Sequence, residues 1–335
     1  MQSDPTTHPP IVVAPSADRL ADVCTPACRA LIDEHFTPIW NTTGRELRAD
    51  ELIERLPGAA ALLTSWRSPS LDVAALNAAP TLRAVGHAAG SVKQLVPREI
   101  FNRDVAVFSA AQRIADSVGE YCLAATMTLL RRLPALDAGI RAGAWKNPAV
   151  RGLELTGKRI GIVGASSTAR AFLRLLAPFR PNVLVYDPYL KDASPLGAQI
   201  ASLSDVMSCE IVSIHAPATA ETEGMISREL LATMADGAIL VNSSRGATVD
   251  QEALFAEIGR GRLYVALDVY TPEPPQLPEQ VLRSPNVLLS PHIAGDTTEG
   301  HLALMETVVR DMIGWLERGE SGSTRVDGRS WDIAA

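Results

Sequence analysis

From Arg159 to Leu289, six short apolar runs recur at regular intervals, each followed by a stretch long enough for a turn or a helix. The strands expected are 159–163, 182–186, 210–214, 238–242, 263–268 and 287–289, with helices at 168–179, 203–207, 227–234 and 250–258. Strands that alternate with helices build a parallel sheet covered on both faces. Six of them joined by crossovers make a doubly wound dinucleotide-binding sheet the natural architecture. The first third repeats the pattern more loosely, with strands expected at 11–14, 60–63, 82–85 and 105–108 and helices at 47–56 and 71–78. The fold class expected is therefore α/β, with two doubly wound parallel-sheet domains.

A chain of 335 residues has room for two such domains. Aromatic residues make up only 5%, so the cores must rest on Ala, Val, Leu and Ile. A net charge of -7 argues against nucleic acid as the main partner. No run approaches the ~20 apolar residues of a membrane helix. Residues 1–10 carry neither a basic patch nor an apolar stretch, so they read as a short disordered lead and not as a signal peptide. Cys24 and Cys28 stand four apart, but no second pair or nearby histidine completes a zinc site, so no metal is expected. Together with Cys122 and Cys209 they fit reduced thiols in a cytoplasmic protein. Residues 114–133 read as a long helix apolar nearly all round, buried between domains or between subunits. A last long helix is expected at 297–317, and the Gly/Ser-rich tail from Gly319 reads as loose.

Three segments each place one ionisable side chain just past a strand: Asn242-Ser243-Ser244-Arg245-Gly246, Leu267-Asp268-Val269-Tyr270-Thr271-Pro272-Glu273-Pro274 and Ser290-Pro291-His292-Ile293-Ala294-Gly295. Ligands of open α/β sheets bind outside the carboxyl ends of the strands. Arg245 can hold a carboxylate, His292 can move a proton and Glu273 can tune His292. Each taken singly has a plainer reading: a surface arginine, a solvated loop glutamate and a helix-capping histidine.

The stretch Gly161-Ile162-Val163-Gly164-Ala165-Ser166-Ser167-Thr168-Ala169 reads as strand, tight turn and helix start. It is related to G-x-G-x-x-G, with Gly164 first, Ser166 in place of the second glycine and Ala169 in place of the third. Alone, such a turn is as well explained by an ordinary strand–helix junction. Asp187, 23 residues after Gly164, ends the next strand at the spacing that bonds the ribose hydroxyls of NAD. Its charge would repel a 2′-phosphate, and Pro188 and Tyr189 offer no cation to hold one, so NAD is expected over NADP. His215-Ala216-Pro217 follows another strand and should border the adenosine, although a lone His215 is more often structural.

With these pieces in order, the chain resembles the D-isomer-specific 2-hydroxyacid dehydrogenases, the family of phosphoglycerate dehydrogenase and glyoxylate/hydroxypyruvate reductase. The resemblance covers nearly the whole chain. It is carried by Leu155-Thr156-Gly157-Lys158, Tyr186-Asp187-Pro188, Ser213-Ile214-His215-Ala216-Pro217 and the three strand-end segments. It implies a Rossmann NAD-binding domain at 116–295, inserted in a flavodoxin-like substrate domain built from 1–115 and 296–335. It also implies catalytic roles for Arg245, Glu273 and His292. NAD contacts are implied at Gly164, Ser166, Ser167, Thr168, Asp187, His215, Ala216, Pro217, Ser243, Ser244, Arg245, Asp268, His292, Ala294 and Gly295. The substrate carboxylate is implied to meet Arg245 and the backbone N–H groups of Ala89, Gly90 and Ser91, where the family usually carries G-x-G.

The expected reaction interconverts a D-2-hydroxy acid and a 2-keto acid by hydride transfer in a cleft, with a small-molecule substrate, no nucleic-acid or membrane partner, and a homodimer as the assembly. His292 acts as acid and base, Glu273 fixes its tautomer and favours the imidazolium, and Arg245 supplies a rigid fork. Asp268 is expected to position the nicotinamide side. The alternatives are an NAD-sensing non-catalytic regulator on the same fold, formate dehydrogenase, which pairs its histidine with glutamine, and phosphoglycerate dehydrogenase, whose phosphate would need cations such as Arg67, His87, Lys93 and Arg113. Trp66 stands equally as a pocket wall or as a residue buried at a domain interface.

Overall fold

The computed structural model describes residues 8–146, 148 and 150–333. Residues 1–7 of the expected lead lie outside the described residues. In chain order the strands are β1 Pro10–Val13, β2 Thr37–Trp40, β3 Ala61–Thr64, β4 Ala84–His87, β5 Ala106–Ser109, β6 Arg159–Val163, β7 Asn182–Tyr186, β8 Ala198–Ile200, β9 Ile211–Ile214, β10 Ile239–Asn242, β11 Tyr264–Leu267, β12 Val287–Leu289 and β13 Arg325–Val326. The chain divides into two compact units, Met1–Ile114 with Thr297–Ala335, and Ala115–Asp296.

The first unit holds a sheet in the order β2-β1-β3-β4-β5-β13, parallel except where β13 runs against β5. Its first five strands follow the 2-1-3-4-5 winding of flavodoxin-like sheets. Alternate residues of each strand feed opposite faces. Ile11, Val13, Leu63 and Phe108 pack with Leu304, Val308 and Met312 of the helix Thr298–Arg318. Val12, Leu62, Val85 and Val107 pack with Leu52, Leu56 and Leu76 on the other face. Helices Ala17–Val23 and Pro26–His35, which the periodicity did not reveal, start at Ser16 and Thr25, whose hydroxyls each cap a free backbone N–H.

The second unit holds a parallel sheet in the order β8-β7-β6-β9-β10-β11-β12. This is the doubly wound 3-2-1-4-5-6 order with one further strand. Seven strands stand where six were expected; the addition is the short edge strand β8, too exposed to leave an apolar signature. The expected helix at 114–133 runs instead from Ala111 to Leu130 and stops before Arg132, which takes a left-handed backbone with φ 56°. Its buried residues, among them Ala115, Val118, Cys122, Ala125 and Leu129, follow one stripe and not the full circumference. A separate helix, Leu133–Arg141, follows.

The tail is not loose. After Gly319, whose φ of 71° closes the long helix, the chain forms β13 and the helix Gly328–Ile333. Among the described residues no helix is long and apolar enough to cross a membrane.

Candidate active site and dinucleotide cradle

Strand register sets the site. Asn242, Leu267 and Leu289 are direct partners across β10, β11 and β12, so the three chains leave the sheet side by side. The Asp268 N–H donates to the Asn242 carbonyl at 3.0 Å, and the Ser290 N–H to the Leu267 carbonyl at 2.9 Å, which carries the alignment one residue beyond the strands.

Arg245 stands in a tight turn built by Asn242. The Asn242 amide donates to the Arg245 carbonyl at 3.1 Å and its oxygen accepts from the Ser244 N–H at 3.1 Å. Gly246 follows because nothing larger fits: a Cβ there would lie 2.1 Å from the Tyr270 carbonyl carbon. This close approach ties the Arg245 turn to the loop that carries Glu273. The Arg245 guanidinium gives one bond to the Ser244 carbonyl at 2.7 Å. Burial pulls its pKa down and the Glu273 charge opposes that, but a guanidinium stays charged.

His292 Nδ1 and Glu273 Oε2 are 2.8 Å apart. The other oxygen of Glu273 accepts from the Tyr270 N–H at 3.0 Å, which fixes the carboxylate. Burial pushes the Glu273 pKa up, yet the bonds from His292 and Tyr270, with the charges of His292 and Arg245, hold it below the ordinary carboxylate value. His292 has a left-handed backbone, φ 58°, and an exposed ring. A residue in that region persists only when its surroundings hold it there.

Asp268 supplies the hold. Its carboxylate is fully buried and accepts from the Ile293 N–H at 2.8 Å, the Ala294 N–H at 2.8 Å and the Ser290 hydroxyl at 2.7 Å. Asp268 therefore positions the loop bearing His292. Because the Ser290 proton goes to Asp268, the Tyr121 hydroxyl, 2.6 Å from Ser290 Oγ, must be the donor to Ser290. Sequence reasoning missed Tyr121 and Tyr270 as supports; nothing in a helix residue or a loop tyrosine announces such a contact.

The turn after β6 forms a cradle at the point where strand order reverses between β6 and β9. Gly164 has φ 90°, and a Cβ there would lie 2.8 Å from the Ala216 backbone. Ser166, in contrast, has φ -65°, which any residue adopts, so a glycine is not needed at the second motif position. Its hydroxyl makes no cap to the helix Ser167–Leu176; it sits 3.0 Å from Thr168 Oγ1. The first-turn N–H groups of that helix thus have neither a cap from Ser166 nor an intrahelical acceptor, the donor set a pyrophosphate needs. Asp187 accepts from the Ala165 N–H at 2.7 Å and the Tyr189 N–H at 2.8 Å, which places its carboxylate beside the turn. The Ser244 hydroxyl donates to the Ala216 carbonyl, joining the Ser243–Ser244 turn to the Ala216–Pro217 loop. Ser243 itself is buried against Cys122, 3.1 Å away. Ala294 is buried and Gly295 half-buried at the end of the His292 loop. These residues fit a dinucleotide.

His215 is engaged on both ring nitrogens, by Thr168 Oγ1 and Ser213 Oγ, each at 2.9 Å. It leaves no ring nitrogen for a ligand and orders the cradle from behind. Burial pulls its pKa to about 3, and burial does the same to His87 in the first unit, to about 4. Unfolded, each would take up a proton near the ordinary value of 6.5. Below that value the unfolded chain binds more protons than the native one, so stability present above pH 6.5 is lost as pH falls. The expected slope is up to about 1.4 kcal/mol per pH unit for each histidine. Urea midpoints measured from pH 7.5 to 5 should fall accordingly; a flat profile would contradict the buried neutral state.

The Ala89–Ser91 loop belongs to the first unit, whereas Arg245, Glu273, His292 and the cradle belong to the second. The loop needs no left-handed residue: Gly90 is absent from the positive-φ glycines, and a Cβ there would meet only Ile114 at 3.7 Å. Its carbonyls are turned onto serines. The Ser65 hydroxyl donates to Ala88 at 2.9 Å, and the Ser109 hydroxyl lies between the carbonyls of Ala89, at 3.3 Å, and Gly90. Trp66 is half-buried against His301, with ring centroids 5.0 Å apart.

Comparison with known proteins points one way. The sequence profile described as "D-isomer specific 2-hydroxyacid dehydrogenase, NAD binding domain" matches residues 123–294. A putative 2-hydroxyacid dehydrogenase of Bacillus subtilis is 35% identical over 271 residues, 78% of this chain and 78% of its own. A D-3-phosphoglycerate dehydrogenase of Mycobacterium tuberculosis is 32% identical over 284 residues, 84% of this chain and 53% of its own. The chain spans about half the length of the phosphoglycerate dehydrogenases it matches. The crystal structure of a phosphoglycerate oxidoreductase from Rhizobium etli superposes with a TM-score of 0.82 at 26% identity, covering 96% of this chain and 99% of that one.

Proposed function

Because the chain belongs to the D-isomer-specific 2-hydroxyacid dehydrogenases, with its second unit matched as their NAD-binding domain, we propose that it interconverts a D-2-hydroxy acid and a 2-keto acid. The observation that carries this is the fixed Glu273–His292 pair, beside Arg245 on aligned strand ends. NAD, when bound, accepts or supplies the hydride. Glu273 holds Nδ1, so His292 exchanges the substrate proton through Nε2, taking it from the hydroxyl in oxidation and giving it to the carbonyl oxygen in reduction. Arg245 holds the carboxylate and the C2 oxygen through its fork. The backbone N–H groups of Ala89, Gly90 and Ser91, in the first unit, are proposed to contact the carboxylate as well. Asp187 favours NAD over NADP by repelling a 2′-phosphate.

Of the expected phosphate-binding cations, His87 is buried and neutral, and Lys93 lies over the Trp331 ring with its ammonium 3.3 Å from the Asp332 carbonyl. The assembly is a homodimer, supported by the exposed apolar side chains Leu133, Ile140, Trp145 and Leu153 of the second unit; light scattering at the mass of one chain would refute it. Four free cysteines favour a reducing, cytoplasmic setting.

The test is NADH absorbance in the presence of glyoxylate, hydroxypyruvate, pyruvate, bulkier 2-keto acids and sugar-derived keto acids. Loss of absorbance with at least one is expected. NADH binding with no turnover on any of them would favour the non-catalytic regulator.

A further inference from the structure

We propose that the C-terminal segment 322–332 is a clasp that shapes the Ala89–Ser91 loop, with Trp331 and Asp332 as positioning residues for the substrate carboxylate; this rests on the reading of that loop given above. The segment grips the first unit on both sides of the loop. On one side, Asp311 accepts from the Thr324 N–H at 2.8 Å and the Thr324 hydroxyl at 2.7 Å. Thr324, itself buried, accepts from the Ser109 N–H at 2.9 Å. Ser109 is the residue whose hydroxyl holds the carbonyls of Ala89 and Gly90. β13 then pairs with β5 through Arg325 and Val326, fixing the strand that ends in Ser109.

On the other side, the segment that continues from the loop is held by Trp331 and Asp332. The Trp331 indole N–H donates to the Val96 carbonyl at 3.2 Å, and its ring meets Phe101 edge-on with centroids 6.4 Å apart. Lys93 lies 5.5 Å from the centre of the same ring. The Asp332 carboxylate accepts from Arg98 Nε at 2.7 Å and from Nη2 at 2.9 Å. An exposed ion pair of this kind contributes little by itself, so the half-buried Trp331 should carry most of the effect. The loop's carbonyls are therefore held from the tail through Ser109, and its exit is held through Lys93, Val96 and Arg98. Misplacing donors by even 1 Å costs a bound substrate heavily.

The experiment compares the full chain with Trp331→Ala, Trp331→Phe and Arg98→Ala by amide hydrogen exchange and by steady-state kinetics with NADH and a turned-over 2-keto acid. Trp331→Ala should speed exchange over residues 88–96 about ten-fold and raise the keto-acid KM about ten-fold. It should leave kcat within about two-fold and NADH affinity unchanged, because the cradle lies in the other unit. Trp331→Phe, which keeps the ring and loses the N–H, should fall between it and the parent. Arg98→Ala, at an exposed position that tolerates substitution, should give a smaller change of the same sign. Unchanged exchange in every variant would overturn the clasp. Faster exchange with an unchanged KM would instead overturn the loop as the carboxylate site, and with it the positioning role. Parallel losses in KM, kcat and NADH affinity would show general destabilisation and overturn the proposal as well.

Discussion

His292→Gln should lower kcat about 10²- to 10⁴-fold, the usual range for a lost general acid–base, while NADH affinity stays within about two-fold. Glutamine can still donate to the ionised Glu273 and so can keep the loop in place, but it cannot carry the proton. The loop is in any case anchored independently by Asp268 through the Ile293 and Ala294 N–H groups. Stopped-flow turnover with NADH fluorescence titration reads both quantities. A variant with parental kcat would remove His292 from the reaction. The partner carboxylate is tested separately. Glu273 is held below the ordinary carboxylate value and meets His292 Nδ1 at 2.8 Å. Glu273→Gln keeps the size and removes the charge, and should lower kcat about ten-fold with NADH affinity unchanged. Parental kcat in this variant would mean that the pair is arranged for something else.

Arg245→Lys should reduce kcat/KM for the keto acid about 10- to 10²-fold, although the charge is kept. A lysine ammonium is a point charge on a flexible stem and cannot reproduce the two parallel bonds of the guanidinium. One bond lost to a charged partner is about 1.5–3 kcal/mol. Apart from the guanidinium's bond to the Ser244 carbonyl, the Arg245 turn is held through its backbone by Asn242, Thr248 and Gly246. The loss should therefore fall on the substrate and spare the stability of the fold. Parental kcat/KM in this variant would contradict the carboxylate clamp.

The ends of β10, β11 and β12 were legible in the sequence because each apolar run stops at a polar or turn-forming segment, and Arg245, Glu273 and His292 sit within six residues of those stops. The register that lays them side by side is not a property of any one segment. The same holds for Asp268. As a residue it reads as a ligand contact; its burial against the 290–294 loop depends on a neighbouring strand. Edge strands were lost for a different reason. β2 contains Pro38 and β8 is three residues long, so neither carries a clear period-two pattern. The tail misled most, because glycine, serine and charge read as solvated chain. Its order comes from single long-range contacts, Thr324 to Asp311, Trp331 to Val96 and Asp332 to Arg98, and these have no periodicity to detect. The departures from the glycine motif have a simple physical basis. Ser166 has ordinary backbone angles and Gly90 lacks a positive φ, so only Gly164 needs the freedom of glycine there.

The central claim is direct transfer of hydride to C2, with the proton handled by His292. The measurement that tests it most directly uses NADH carrying deuterium at both C4 positions, a turned-over 2-keto acid and mass spectrometry of the product. One deuterium at C2 of the hydroxy acid is the expected result, with the label absent from solvent. A product without deuterium, or NADH bound and never oxidised by any 2-keto acid, would contradict the account.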